Sequence, residues 1–130
     1  VIGDGSGDAH ITRITSAING LIYKVEMMCI ETPDGGGSAI NADIDLYADT
    51  STRATGFDFG GVSSEILVVD AGGTWTTSHY KEGAVAPGST AFTAGLHNYY
   101  LHIAAGVDNG GATNAYAAGK YVIKLYGASF

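Results

Sequence analysis

The chain has 130 residues, of which 45% are hydrophobic and 15% charged, and a formal net charge of −7. That balance is too apolar and too weakly charged for a disordered chain, and its length suits one domain with a sizeable core. The six Lys and Arg residues are scattered, which leaves no basic patch for phosphates and argues against nucleic acid or an anionic membrane surface as partner.

The N-terminal stretch 3-GDGSGD-8 reads as part of a flexible or arm-like segment over residues 1–9. It departs from an EF-hand loop, because Ala9 stands where that loop needs Gly and Thr15 where it needs Glu. Val1 leads straight into it with no secretory pattern, so folding in a cytoplasm is expected. A strand is predicted over 10-HITRITSA-17, and Asn19-Gly20 then reads as a tight hairpin turn into a second strand.

That second strand, 21-LIYKVEMMCI-30, alternates with period two. Leu21, Tyr23, Val25, Met27 and Cys29 are expected inward, with Lys24 and Glu26 outward. Cys29, the single cysteine, excludes an intrachain disulfide and reads as a buried, inert thiol. Asp34-Gly35-Gly36-Gly37 marks a turn. In 40-INADIDLYA-48, Ile40, Ala42, Ile44, Leu46 and Ala48 share the core face, and Asn41, Asp43, Asp45 and Tyr47 the other.

Further strands are predicted over 65-EILVVD-70, 74-TWTTSHY-80, 89-STAFTA-94, 98-NYYLHIAA-105 and 119-GKYVIKLYG-127, with a short one within 54–59. Gly60-Gly61, Ala71-Gly72-Gly73 and Asn109-Gly110-Gly111 supply turns, and residues 82–88, with Pro87, read as a loop. In the last strand Tyr121, Ile123 and Leu125 are expected inward. About eight short strands without helical periodicity imply an all-β, jelly-roll-like sandwich of two sheets in a single domain, 1–130.

Few constellations carry chemistry. Asp43 and Asp45 are alternate strand residues, roughly 6.5–7 Å apart at the backbone. They admit three readings: a solvated strand face, a weak Ca²⁺ site completed by loop carbonyls, or a catalytic carboxylate pair. The first is favoured, because the face opposite the core is expected to be wet. His10, His79, His97 and His102 show no metal-ligand spacing within one element. There is no G-x-S-x-G elbow, and the lone Gly-Lys, Gly119-Lys120, is followed by Tyr121 rather than Ser or Thr. No enzyme and no cofactor are expected. Trp75 is the aromatic best suited to stack on a sugar, so a lectin-like carbohydrate-binding module, with or without Ca²⁺ at Asp43 and Asp45, stands as the alternative function.

The closing stretch 115-AYAAGKYVIKLYG-127, with 41-NADIDLYAD-49 and 17-AINGLIYKVEMM-28, resembles small all-β structural proteins of tailed bacteriophages, particularly those of marine and cyanobacterial hosts. Such proteins are similar to capsid decoration, or cement, proteins. The resemblance implies a non-enzymatic virion component on the head exterior, assembled in the bacterial cytoplasm. It also implies a homo-oligomer, most simply a trimer, seated on the major capsid protein. In such an oligomer, Ile22, Met28 and Ile30 would be the apolar residues covered.

Overall fold

The computed structural model describes residues 10–36, 44–51, 66–84, 99–105 and 116–129. Its elements, in chain order, are β1 (Thr12–Arg13), α1 (Ser16–Asn19), β2 (Leu21–Asp34), β3 (Ile44–Asp49), β4 (Ile66–Val69), β5 (Tyr80–Ala84), β6 (Tyr100–Ala105) and β7 (Ala118–Ala128). The strands form two antiparallel sheets, one ordered β1-β6-β3-β4 and the other β5-β2-β7. This is the expected all-β sandwich, with seven strands among the described residues. The strand predicted over 89–94, the short one within 54–59 and the turns at 60–61 and 109–111 lie outside them.

The core forms where the sheets' inner faces meet. Val25, Met27 and Cys29 of β2 pack in one buried cluster with Ile44, Leu46 and Ala48 of β3, Val69 of β4, Leu101 of β6, Ile14 and Trp75. The Cys29 thiol is fully buried and donates to the Glu31 carbonyl at 3.2 Å. Burial pushes its pKa up, so it is the inert thiol expected.

Three local expectations are corrected. The first concerns Asn19-Gly20, which does not turn a hairpin. Strand β1 is cut to two residues and pairs with β6, whereas β2 lies in the other sheet. Between them the chain makes one helical turn, in which Asn19 N–H donates to the Thr15 carbonyl at 2.8 Å and Asn19 Oδ1 accepts from Thr15 N–H at 3.0 Å. Gly20 follows with φ of 62°, and a side chain there would collide with the Ala128 carbonyl. The dipeptide suits a left-handed helix end as well as it suits a hairpin, and sheet membership decides between them.

The second correction concerns 74–80. Thr76 and His79 close a turn (N···O 3.0 Å) with Ser78 at φ of 76°. A β-strand cannot hold that dihedral, so β5 starts at Tyr80 and runs into the stretch expected to be a loop.

The third is a change of parity in β2. Ile22 lies opposite Gly127 and Lys24 opposite Tyr126, so β2 spends two residues where β7 spends one. Tyr23 is the extra residue of a β-bulge. Ile22, expected outside, is therefore buried at 1% exposure, and Tyr23, expected inside, is 48% exposed. Beyond the bulge the anticipated pattern resumes at Val25, Met27 and Cys29.

Candidate functional site

The residues singled out from sequence do not converge. Asp43 lies outside the described residues. Asp45 is not on a wet face: it is buried, as are Tyr47 and Asp49 beside it. Its Oδ1 accepts from Ala71 N–H at 2.8 Å, which ties β3 to the chain leaving β4. Tyr47 stacks on His102 of β6 with ring centroids 5.0 Å apart and 13° between planes. Strand β3 is thus buried on both faces, and the alternation of its letters marks two interiors, one aliphatic and one polar–aromatic. Among the described residues no group of three or more His, Cys, Asp and Glu could hold a metal ion.

Trp75 is also removed from the surface. Its exposure is 1%, its Nε1–H donates to the Ile44 carbonyl at 2.7 Å, and Tyr121 meets it edge-on at 5.4 Å. Both its polar edge and its ring are engaged internally, so no ring face is open for stacking on a sugar.

The residues that share a surface are on the outward face of the β5-β2-β7 sheet. Its register builds two adjacent rows of different character. In one, Tyr80 of β5, Met28 of β2 and Val122 of β7 lie side by side. Met28 is 37% exposed, Tyr80 46% and Ile30, at the next bulge along β2, 41%. Large apolar groups on a strand-borne surface are a candidate contact face.

The neighbouring rows are charged. Glu26 and Glu82 are cross-strand partners, and two carboxylates directly opposed on a sheet repel. Lys24 resolves the conflict: its Nζ lies 2.8 Å from Glu26 and 2.8 Å from Glu82. Tyr126 donates its hydroxyl to Glu26 at 2.7 Å, and Tyr80 donates to Glu82 at 3.1 Å. The hydrogen bonds from Lys24 and then Tyr126 hold the Glu26 carboxyl down at about 2, and Glu82 is lowered first by Lys24 and then by Tyr80. Hydrogen bonds to the same two carboxylates push the Lys24 ammonium well above its ordinary value. The cluster links all three strands on their outer side.

A pH dependence follows from Glu26. A depressed carboxyl contributes stability that is present above its unfolded value and lost as pH falls through its folded value. The melting temperature is therefore expected to drop as pH is lowered from 4.5 towards about 2. Differential scanning calorimetry across that range checks it. Glu26→Gln should flatten most of the slope, leaving the part due to Glu82. A wild-type profile already flat below pH 4.5 would mean that the cluster does not hold in solution.

The sequence alone points to Met28 and Ile30 but not to Val122 or Glu82. Their outward positions are readable strand by strand. What no single strand carries is the register that sets them beside one another. No protein-family model matches the chain, and no similar protein was found among curated proteins or solved structures.

Proposed function

We propose that this protein is a structural subunit of a bacteriophage virion, of the capsid decoration or cement type. In this reading it binds copies of itself, most simply as a trimer, and sits on the major capsid protein at the head exterior after assembly in the host cytoplasm. The work is done by contact area and shape rather than by a reactive group. The observation that carries the proposal is the outward face of the β5-β2-β7 sheet, where Met28, Ile30 and Tyr80 stand exposed on rigid strands beside a closed charge cluster. The resemblance of the 115–127 stretch to phage structural proteins gives that face its context. The apolar row supplies the dry centre of an interface. The Lys24 cluster supplies a polar rim that stays hydrated and fixes orientation. A stable contact of this kind would bury on the order of 1,200–2,000 Å² in total.

Native mass spectrometry of Met28→Lys tests the reading. Met28 is on the surface, so the change should leave the fold intact while placing an unpaired charge in the contact. The expected result is loss of the oligomer with an unchanged circular dichroism spectrum. A folded variant of unchanged oligomeric mass removes this face from the assembly. Ile22→Lys, by contrast, should unfold the chain, because Ile22 belongs to the core.

A further inference from the structure

An Asn-Gly dipeptide is the sequence most prone to spontaneous deamidation, because glycine places no side chain in the way of its own main-chain nitrogen. The chain holds two, Asn19-Gly20 and Asn109-Gly110. At the first, the Gly20 nitrogen would lose its proton to hydroxide and attack Asn19 Cγ. The new N–C bond forms, the Cγ–Nδ2 bond breaks and ammonia leaves. Water then opens the cyclic imide. Opening at Cγ gives aspartate. Opening at the main-chain carbonyl gives isoaspartate, in which the chain runs through Cγ and is one carbon longer.

The fold keeps the two reacting groups apart. Asn19 Oδ1 accepts from Thr15 N–H at 3.0 Å, so the side-chain amide is turned back along α1 and away from Gly20. Asn19 N–H is tied to the same residue, at 2.8 Å from the Thr15 carbonyl. Gly20 is buried, with φ of 62°. On the side of β7 the dipeptide meets main chain directly. A β-carbon on Gly20 would run into the Ala128 carbonyl and lie 3.1 Å from Ser129 N. One on Gly127 would run into the Asn19 carbonyl and lie 3.3 Å from Ile22 Cδ1. The imide ring closes only when the amide leaves Thr15 and swings over the Gly20 nitrogen. This packing leaves no room for the backbone rotation that brings it there.

We infer that Asn19-Gly20 is a site of spontaneous backbone modification gated by the fold: it reacts only while the α1–Gly20 corner is lifted from the end of β7, and the isoaspartate product then keeps that corner from closing. In that product the former Asn19 carbonyl is a free carboxylate, pressed against the Gly127 main chain. The aspartate product keeps the original backbone and an oxygen for Thr15 N–H. One reaction thus has a silent outcome and a lasting one. The corner lies at the start of β2 and the end of β7, away from the Met28–Val122 pair, so the inference is independent of the contact face.

The test incubates the protein at mildly alkaline pH, folded in buffer and unfolded in guanidinium chloride. The tryptic peptide 14-ITSAINGLIYK-24 is then quantified by chromatography and mass spectrometry, which separates Asn19 from Asn109. A site that reacts only from a locally opened state is slowed in proportion to how seldom it opens, so a rate at least about tenfold lower is expected in the folded protein. Equal rates in the two conditions overturn the gate. Gly127→Ala leaves the atoms of the dipeptide untouched and pushes its carbonyl outward. In folded protein it should raise the rate at least about threefold, with no change in guanidinium chloride. A folded Gly127→Ala protein of wild-type rate overturns the assignment of the gate to this corner. Should that variant fail to fold, wild-type protein aged in guanidinium chloride, refolded and heated in steps decides. The isoaspartate form of the peptide should leave the soluble fraction at a lower temperature than the aspartate form. Loss of both forms at one temperature overturns the claim that the modification holds the corner open.

Discussion

Trp75→Ala is expected to destabilise the protein by about 3–5 kcal/mol, the usual cost of truncating a fully buried large aromatic. Two physical terms add. Removing the indole opens a cavity in the core cluster, against the Tyr121 ring. It also strands the Ile44 carbonyl, which accepts from Nε1 at 2.7 Å. Trp75→Phe separates them: it refills part of the space but restores no donor, so about 1–3 kcal/mol should remain from the unpaired carbonyl. Urea denaturation followed by circular dichroism measures both variants. For a domain of this size a loss near the upper figure removes a large fraction of the total stability, and expression itself would suffer. A Trp75→Ala protein of wild-type stability would mean that the side chain is not in the core, and would reopen stacking on a ligand as its role.

Gly83→Ala should be nearly as damaging, for the opposite reason. Gly83 of β5 lies opposite Val25 and faces inward. A β-carbon at this position would run into the carbonyl oxygen of Val68 on β4, with the carbonyl carbon 2.9 Å away and Val69 Cγ2 at 3.3 Å. Strands β5 and β4 belong to different sheets. At this corner the two backbones come into direct contact, with no side-chain layer between them. The obstacle is main chain, so no rotamer change relieves it, and the sheets must part. Overpacking of this kind costs typically about 1–3 kcal/mol and occasionally more; the upper end is expected here. A loss under about 0.5 kcal/mol, the level of an ordinary surface substitution, would show that the corner opens freely.

Both variants touch places where sequence pattern and structure parted. The segments with sustained period-two alternation are strands: 21–30 and 40–48 overlap β2 and β3, and 119–127 lies within β7. Alternation reports one thing reliably, that the segment is extended and has two unlike faces. It does not report what each face meets. Alternation with Ile44 and Leu46 predicts a wet Asp45 and Tyr47, yet the second face of β3 is also interior, with Asp45 bonded to Ala71 N–H and Tyr47 stacked on His102. Those partners are 26 and 55 residues away in sequence, beyond the reach of any local rule.

Of the candidate contact face, Met28 and Ile30 were legible as apolar residues on the wrong side of an amphipathic strand. Strict alternation puts Ile22 on the same side, whereas it is in the core. The bulge at Tyr23 exists only as a mismatch between β2 and β7, and neither strand alone contains it. Tyr80, Val122 and the carboxylate pair of Glu26 and Glu82 became neighbours of the face through registers set by strands far apart in the chain.

By itself, then, the sequence determined the class: an all-β chain of two-faced strands, lacking a disulfide and a recognisable reaction motif. Those properties follow from residue type and near-neighbour spacing. The tertiary structure alone decided that Asn19-Gly20 ends a helical turn, that Trp75 is a core residue and that Lys24 holds two opposed carboxylates. Each depends on which strands pair and in what register. Pairing is fixed by burial summed over the whole sandwich, a quantity that no short stretch of residues contains.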